Sequence, residues 1–165
     1  GILFNHESPL RGETFVTQKI VSALCKISVL GKGKLYLGNL YSKRDWGHAK
    51  DYVLAMWKML QQKKPKDYVI ASGKQYSVKY FVNLICHILK IKINWKGKGI
   101  NEKAYLNGKI IISIDKKYFR PTEVDSLLGD ARKARKELKW KPDYNIQSLA
   151  KDMVTQEIKK INGKK

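Results

Sequence analysis

The chain opens on an apolar run, Gly1-Ile2-Leu3-Phe4, that passes directly into the polar stretch NHESPLRGETF. An unbroken apolar run reads as a buried strand of a parallel sheet. A strand needs neighbours, and its partner strands and helical crossover are expected from sequence outside this chain. Apolar residues at helical spacing follow over 15–30, with Thr14 placed to cap the N-terminus. A strand, a polar loop carrying one His and one Arg, and then a helix is the layout of a site at the carboxyl end of a sheet strand. The chain is expected to be the back part of a larger enzyme.

Helical and extended patterns alternate from there on. Helix 15–30 is expected to stop at Gly31-Lys32-Gly33, a C-cap and turn. Leu35-Tyr36-Leu37 reads as a strand. Segment 47–62 reads as an amphipathic helix with Tyr52, Val53, Met56, Trp57, Met59 and Leu60 turned inward, as core rather than as a cofactor box. Segment 68–71 reads as a buried strand. Ser77 is placed to cap a helix to Lys90, with Val78, Phe81, Val82, Ile85 and Leu89 inward. Segments 91–95 and 110–114 alternate like strands on either side of a polar loop bearing Gly and Asn. Asp130 is expected to cap a short basic helix to Trp140, and Pro142 to break it before a last helix over 146–161. The alternation makes an α/β chain, with no internal repeat and no dividing linker.

Composition excludes several classes. With 165 residues and 43% apolar content, the chain can bury a core and is not globally disordered. No apolar stretch reaches 18 residues, so no membrane-spanning helix is expected. Cys25 and Cys86 lie inside apolar helical patterns and read as reduced core thiols of an intracellular, cytoplasmic protein. The two Cys and the three His (His6, His48, His87) lack metal-ligand spacing, so no metal site is expected. The net charge of +20 invites a nucleic-acid reading, but 29 of the 34 basic residues are Lys, scattered through every segment and densest in turns. Bidentate reading of phosphates and base edges favours Arg. The charge reads as solvated surface, not as a nucleic-acid patch.

Five segments carry a closer signal: NHESPLRGETFVTQKI, LYLGNLYSKRDWGHAKDYVLAMWKMLQ, DYVIASG, YFRPTEVDSLLGD and LKWKP. In order and spacing they resemble the C-terminal half of the GDP-mannose 4,6-dehydratase family, within the extended short-chain dehydrogenases/reductases. RDWGHAKDY fits nucleotide-sugar enzymes of the superfamily in general, whereas NHESP with RGETFVT, and YFRPTEVD, narrow the match. The resemblance implies the last sheet strands of a Rossmann-like enzyme plus a mixed α/β substrate-binding domain, spanning 1–165. It implies a lyase, removing water from GDP-mannose with NADP to give a 4-keto-6-deoxy sugar nucleotide on the route to GDP-fucose and related deoxysugars. It also implies a homo-oligomer, dimer or tetramer. In that family the Gly-rich dinucleotide fingerprint, the Thr-Glu pair and the YxxxK motif precede the matched half. No GxGxxG occurs here, and no Tyr is followed four residues later by Lys in the required context. No catalytic residue is therefore expected in this chain, and the chain alone is expected to be inactive.

Carried over residue by residue, the resemblance puts His6 and Arg11 against NADP. An Arg fork suits a cofactor phosphate, and an imidazole can hydrogen-bond the nicotinamide half. Asn5 is implied to hold the sugar and diphosphate. Phe15, Val16 and Lys19, with Leu37, Gly38 and Asn39, match the guanine and ribose pocket. Arg44 and Arg120 are implied to clamp the diphosphate. They stand out as Arg in a chain that otherwise uses Lys for charge, although Arg44 could also pair with Asp45 or Asp51 to shape its turn. Glu123 binds a ribose hydroxyl or pairs with Arg120. Asp45, Trp46, His48 and Asp51 are expected to organise the loop and helix start rather than touch ligand. Glu7 and Glu13 are expected to tether their loop. Leu10 departs from the family's usual Arg, and Ala131 from its usual Pro.

Two other readings share some of these features. One is a nucleotide-sugar enzyme of the same superfamily with different chemistry, an epimerase or reductase. The other is a basic nucleic-acid-binding module.

Overall fold

A computed structural model describes residues 1–119 and 124–163. The first half runs β1 (Ile2–Leu3), β2 (Asn5–Glu7), α1 (Val16–Leu30), β3 (Leu35–Leu37), β4 (Lys43–Arg44), β5 (Trp46–His48) and α2 (Ala49–Leu60). It continues with β6 (Val69–Ile70), β7 (Tyr76–Ser77), α3 (Val78–Ile88), β8 (Asn94–Lys96), β9 (Lys103–Leu106) and β10 (Lys109–Ile114). Two helices, α4 (Arg132–Glu137) and α5 (Ile146–Asn162), complete it. The expected α/β alternation is present, with strands shorter than the apolar runs suggested.

The larger core lies where α1, α3 and α5 pack together against the four-stranded sheet β3-β10-β9-β8. Ile20, Val21, Leu24, Phe81, Ile85, Leu149 and Met153 are fully or nearly fully buried there, each contributing about 1.5–3 kcal/mol by leaving water. Within the sheet β10 runs parallel to β3 and antiparallel to β9. β9 occupies part of the segment expected to be a loop. The β9–β10 turn is Asn107-Gly108, both at positive φ (50° and 78°), the requirement of a tight hairpin that this dipeptide meets readily. Cys25 and Cys86 are buried free thiols, and burial pushes each up to about 12. Among the described residues, no helix is long and apolar enough to cross a membrane.

A second, smaller core joins Tyr52 and Ala55 of α2 to Ile70, Ala71, Ala134, Leu138 and Trp140. Here several expectations fail. β1 finds its parallel partner inside the chain, Ile2 opposite Val69 and Leu3 opposite Ile70, and Ile2 is 61% exposed rather than buried. Asn5–Glu7 is not loop but a strand, parallel to β5. α2 begins at Ala49, and only part of its apolar set faces inward. Tyr52 is buried and Met59 packs on the small core, but Val53, Met56, Trp57 and Leu60 form an exposed stripe, with Leu60 82% exposed. An i, i+3, i+4, i+7 pattern identifies one helix face but not what covers it.

The helix ends show which capping expectations hold. Ser77 caps α3, accepting from Tyr80 N–H at 3.1 Å, and Gly31 (φ 65°) ends α1. Thr14 does not cap α1. The N-cap position is Phe15, without a side-chain bond, so the first-turn N–H groups have no side-chain cap. At α4 the N-cap is Ala131, although Asp130 accepts the Arg132 N–H at 3.0 Å, and the adjoining Arg132 guanidinium holds its carboxyl at about 2.

Buried carboxylates tie the parts together. Asp45, fully buried, accepts the N–H groups of Ser72 (2.9 Å), Gly73 (2.9 Å) and Gly129 (3.2 Å). Asp51 accepts those of Asp143 and Tyr144, both at 3.1 Å. His48 caps α2 through Nδ1, which accepts the Lys50 N–H, and its Nε2 lies 3.1 Å from Asp152. These residues organise loops, as expected. Glu7, 3% exposed, accepts from Thr17 Oγ1 at 2.6 Å and sits 3.1 Å from Arg11 Nε, fastening β2 to α1. Burial raises its carboxyl above the ordinary 4.5, against the lowering pull of Thr17, Arg11 and His6.

Two outcomes follow for stability. Asp45→Ala should lower the unfolding free energy of the protein by roughly 2–4 kcal/mol, since several buried N–H donors lose one acceptor. A denaturant titration matching the parent's would remove Asp45 from this role. For Glu7, a raised folded value means that the folded state binds more protons than the unfolded state above pH 4.5, so its contribution declines as pH rises. The stability of the parent relative to Glu7→Gln should therefore increase as pH falls from 7 toward 4.5, read from paired unfolding curves. A flat difference would show Glu7 to be unshifted.

Candidate functional site

The strand ends converge on one cavity of about 430 Å³. Asn5 enters from β2. Phe15, Val16 and Lys19 line it from the start of α1, preceded by Thr14, and Leu37, Gly38 and Asn39 come from the end of β3. Ser42 and Arg44 face it from the next turn and β4, Val78 from the start of α3, and Lys117 and Tyr118 from the 3-10 turn Lys116–Tyr118. Eight residues expected to bind substrate (Asn5, Phe15, Val16, Lys19, Leu37, Gly38, Asn39 and Arg44) are thereby brought together from four separate segments. The other two, Arg120 and Glu123, lie outside the described residues.

Local geometry shapes the walls. A Cβ on Gly38 would sit 2.1 Å from the Tyr118 carbonyl oxygen, so only glycine allows this close approach of two backbones. Lys19 Nζ lies 3.4 Å from the centroid of the Tyr118 ring, a cation–π contact that closes this side. Asn39 Oδ1 accepts the Tyr41 N–H at 2.9 Å and shapes the turn leading to Ser42. Arg44 Nη1 donates to the carbonyls of Lys43 (2.9 Å) and Val124 (2.6 Å), which fixes the guanidinium at the cavity edge.

Among the described residues, the lining holds three cations, Lys19, Arg44 and Lys117, and no carboxylate. The first turn of α1 also points into it without an acidic residue or a side-chain cap. Helix N–H groups and the helix dipole favour an anion at such an end. Such a lining suits a negatively charged ligand.

His6 and Arg11 lie outside this cavity. The His6 ring stacks on Tyr52 with centroids 5.0 Å apart, and its Nδ1 is 2.9 Å from the Phe4 carbonyl. A carbonyl only accepts, so Nδ1 carries the proton and Nε2 presents a lone pair. Arg11 is gripped through Nε by Glu7, and its guanidinium carbon lies 3.5 Å above the Phe15 ring. Phe15 is shared, since it lines the cavity on one side and supports Arg11 on the other. Leu10, beside Arg11, is 93% exposed.

Sequence reasoning missed Thr14, Ser42, Val78, Lys117 and Tyr118 as lining residues. Tyr118 opens the segment YFRPTEVD, which offered a signal for it and for the neighbouring Lys117. Ser42 lies between Asn39 and Arg44, where a small polar residue draws no attention.

The family model described as GDP-mannose 4,6 dehydratase matches residues 1–153. A GDP-mannose 4,6-dehydratase of Sinorhizobium fredii is 50% identical over 99% of this chain and 47% of its own length. One of Drosophila melanogaster is 53% identical over 96% of this chain and 40% of its own. The chain thus spans about half the length of the curated relatives it matches. Among solved structures, one of RMD from Pseudomonas aeruginosa complexed with NADPH superposes with a TM-score of 0.78 at 17% identity, over 96% of this chain and 47% of that one. A dTDP-glucose 4,6-dehydratase from Bacillus anthracis in complex with NAD gives 0.72 at 20% identity, over 98% and 44%. At such identities these two structures establish the fold alone, an α/β one shared with about half of each of those chains. The identity across nearly the whole chain, together with the model match over residues 1–153, establishes more: the chain belongs to the GDP-mannose 4,6-dehydratase family.

Proposed function

We propose that this chain is the sugar-nucleotide-binding portion of a GDP-mannose 4,6-dehydratase, a lyase that uses NADP to convert GDP-mannose to GDP-4-keto-6-deoxymannose. The observation that carries the reading is the single cavity uniting Asn5, Phe15, Val16, Lys19, Leu37, Gly38, Asn39 and Arg44, whose charged lining among the described residues is cationic. The nucleoside rests against Phe15, Val16, Lys19, Leu37, Gly38 and Asn39. The diphosphate lies by Arg44, with Arg120 completing the clamp, and Glu123 reaches a ribose hydroxyl. Asn5, whose amide both donates and accepts, holds the sugar and diphosphate where the two halves of the site meet.

His6 and Arg11 are the residues of this chain that would hold NADP. His6 is held by Tyr52 and the Phe4 carbonyl with Nε2 as an acceptor, and Arg11 is held by Nε rather than by its outer edge. When bound, NADP supplies the transient hydride acceptor that makes C4 of the hexose a ketone and the C5 proton acidic. What this chain contributes is binding and orientation, with the hexose carried between the cavity and His6. The base for the sugar hydroxyl and the acid–base pair for elimination come from the dinucleotide-binding portion. The exposed stripe Val53, Met56, Trp57 and Leu60 of α2 is the surface on which that portion packs. The whole enzyme works as a cytoplasmic homo-oligomer, dimer or tetramer.

In the full-length protein carrying this chain, Arg44→Ala and Arg120→Ala should each weaken GDP binding by roughly 1.5–3 kcal/mol, the worth of a charge-assisted contact. Calorimetric titration with GDP alone suffices, and unchanged affinity in both variants would dismiss the clamp. The 165-residue chain by itself should turn over no GDP-mannose with or without added NADP. It has no GxGxxG, and its one Tyr/Lys pair at YxxxK spacing, Tyr105 and Lys109, lies across the β9–β10 hairpin rather than on a helix. Detection of the 4-keto-6-deoxy product by mass spectrometry from the purified chain would overturn this division of labour.

A further inference from the structure

Among the described residues, few buried side-chain polar atoms lack a hydrogen-bond partner, and only one of them, Ser42 Oγ, belongs to a residue lining the cavity. Ser42 is 2% exposed. Buried hydroxyls are almost always partnered, because an unmet one forfeits its hydration with no return. The others differ in kind. Arg11 Nε has Glu7 at 3.1 Å, and Gln18 Oε1, Tyr52 OH and Ser113 Oγ are away from the cavity.

The backbone around Ser42 is tied down on both sides. Its carbonyl accepts the Val78 N–H at 3.2 Å, the Leu40 carbonyl accepts that of Lys79 at 2.8 Å, and Lys43 N–H donates to the Asp125 carbonyl at 2.8 Å. The hydroxyl is therefore held in place, and turning it requires no rearrangement of the chain. Among the described residues, the same cavity is lined by Lys19, Arg44 and Lys117 and by no carboxylate that could accept from the hydroxyl. A ligand drawn by those charges brings anionic oxygens, and a hydroxyl facing an anionic oxygen donates.

We propose that Ser42 is a ligand-binding residue whose hydroxyl donates to a phosphate oxygen of the bound nucleoside diphosphate, acting as a preset neutral donor among the three cations. This rests on the reading of the cavity as a sugar-nucleotide site and adds to it a residue and the group that residue recognises. Because the hydroxyl has no partner among the described residues, it contributes nothing to the empty fold and acts only when ligand is present. Ser42 is thereby distinguished from Asn39 and Thr17, whose side chains already serve the chain itself.

The test uses the full-length protein carrying this chain, with Ser42→Ala and the near-isosteric Ser42→Cys, a poor donor. Titrations with GDP, inorganic pyrophosphate and guanosine are read beside the thermal midpoint of the ligand-free protein. Both variants should bind GDP and pyrophosphate about tenfold more weakly, the scale of one hydrogen bond to a charged group. Guanosine affinity should not change, and the ligand-free midpoint should stay equal or rise. Unchanged GDP affinity, an equal loss for guanosine, or a lowered ligand-free midpoint would each overturn the assignment, the last by showing a structural role. Pyrophosphate binding that depends on Ser42 in a protein that ignores GDP would uphold Ser42 and reject the nucleotide reading. A parent that binds neither rejects both.

Discussion

The site depends on one buried charge. Asp45 sits between Arg44, which faces the cavity, and Trp46, which enters the larger core against Phe81. Its carboxylate gathers three N–H groups from two distant segments, Ser72-Gly73 after β6 and Gly129 before α4. A carboxylate taken fully out of water needs such partners, because desolvation otherwise exceeds what the fold can return. The approach is so close that a Cβ on Gly129 would fall 2.1 Å from that of Ala71. Thus the strand bearing Arg44, the segment after β6 and the start of the small core meet at a single anchor, and the cavity edge inherits its rigidity.

The same economy recurs along RDWGHAKDY. Asp45, His48 and Asp51 are each buried and each accept backbone N–H groups, and the carbonyl of Asp51 also takes the Trp140 indole N–H at 2.8 Å. A segment that reads as chemistry, dense in Asp, His and Arg, therefore serves mainly to assemble loops. Arg44 is the member of this segment that lines the cavity. The Lys79–Glu102 pair does comparable work between α3 and the turn before β9, with the Tyr41 hydroxyl donating to the same carboxylate at 2.7 Å. Glu102 is lowered by those partners despite the opposing effect of its burial.

What the sequence made legible follows from what is local. Ser77 capping, the Gly31 stop, the Leu35–Leu37 strand and the helical stripe of α3 depend on neighbours within a few residues, and the structure has them. Strand β9 was hidden because Lys103-Ala-Tyr-Leu106 is too short to show alternation, though the Asn107-Gly108 turn marked it. Placing Met56 and Trp57 inside failed for another reason. Periodicity gives a face, and whether that face is covered is decided by tertiary partners. The cavity lining was legible through motif resemblance, since its members lie on segments that only the fold brings together. Ser42 escaped because an unpartnered hydroxyl is visible only once all its neighbours are known.

The two edges of the site are separated by the pleat of one three-residue strand. Asn5, His6 and Glu7 pair in register with Trp46, Gly47 and His48. Successive side chains of a strand point to opposite faces. Asn5 reaches the cavity and Glu7, on the same face, reaches Thr17 in α1, while His6 turns the other way onto Tyr52. Gly47 makes that possible, because a Cβ there would lie 2.4 Å from the Tyr52 ring that supports the imidazole. A slip of one residue would exchange the faces, burying the imidazole against α1 and leaving the carboxylate over Tyr52. The buried Glu7–Thr17 bond and the Gly47–Tyr52 contact both oppose that slip. Register in β2, rather than any single contact, thus decides which residue faces the cavity and which faces Tyr52.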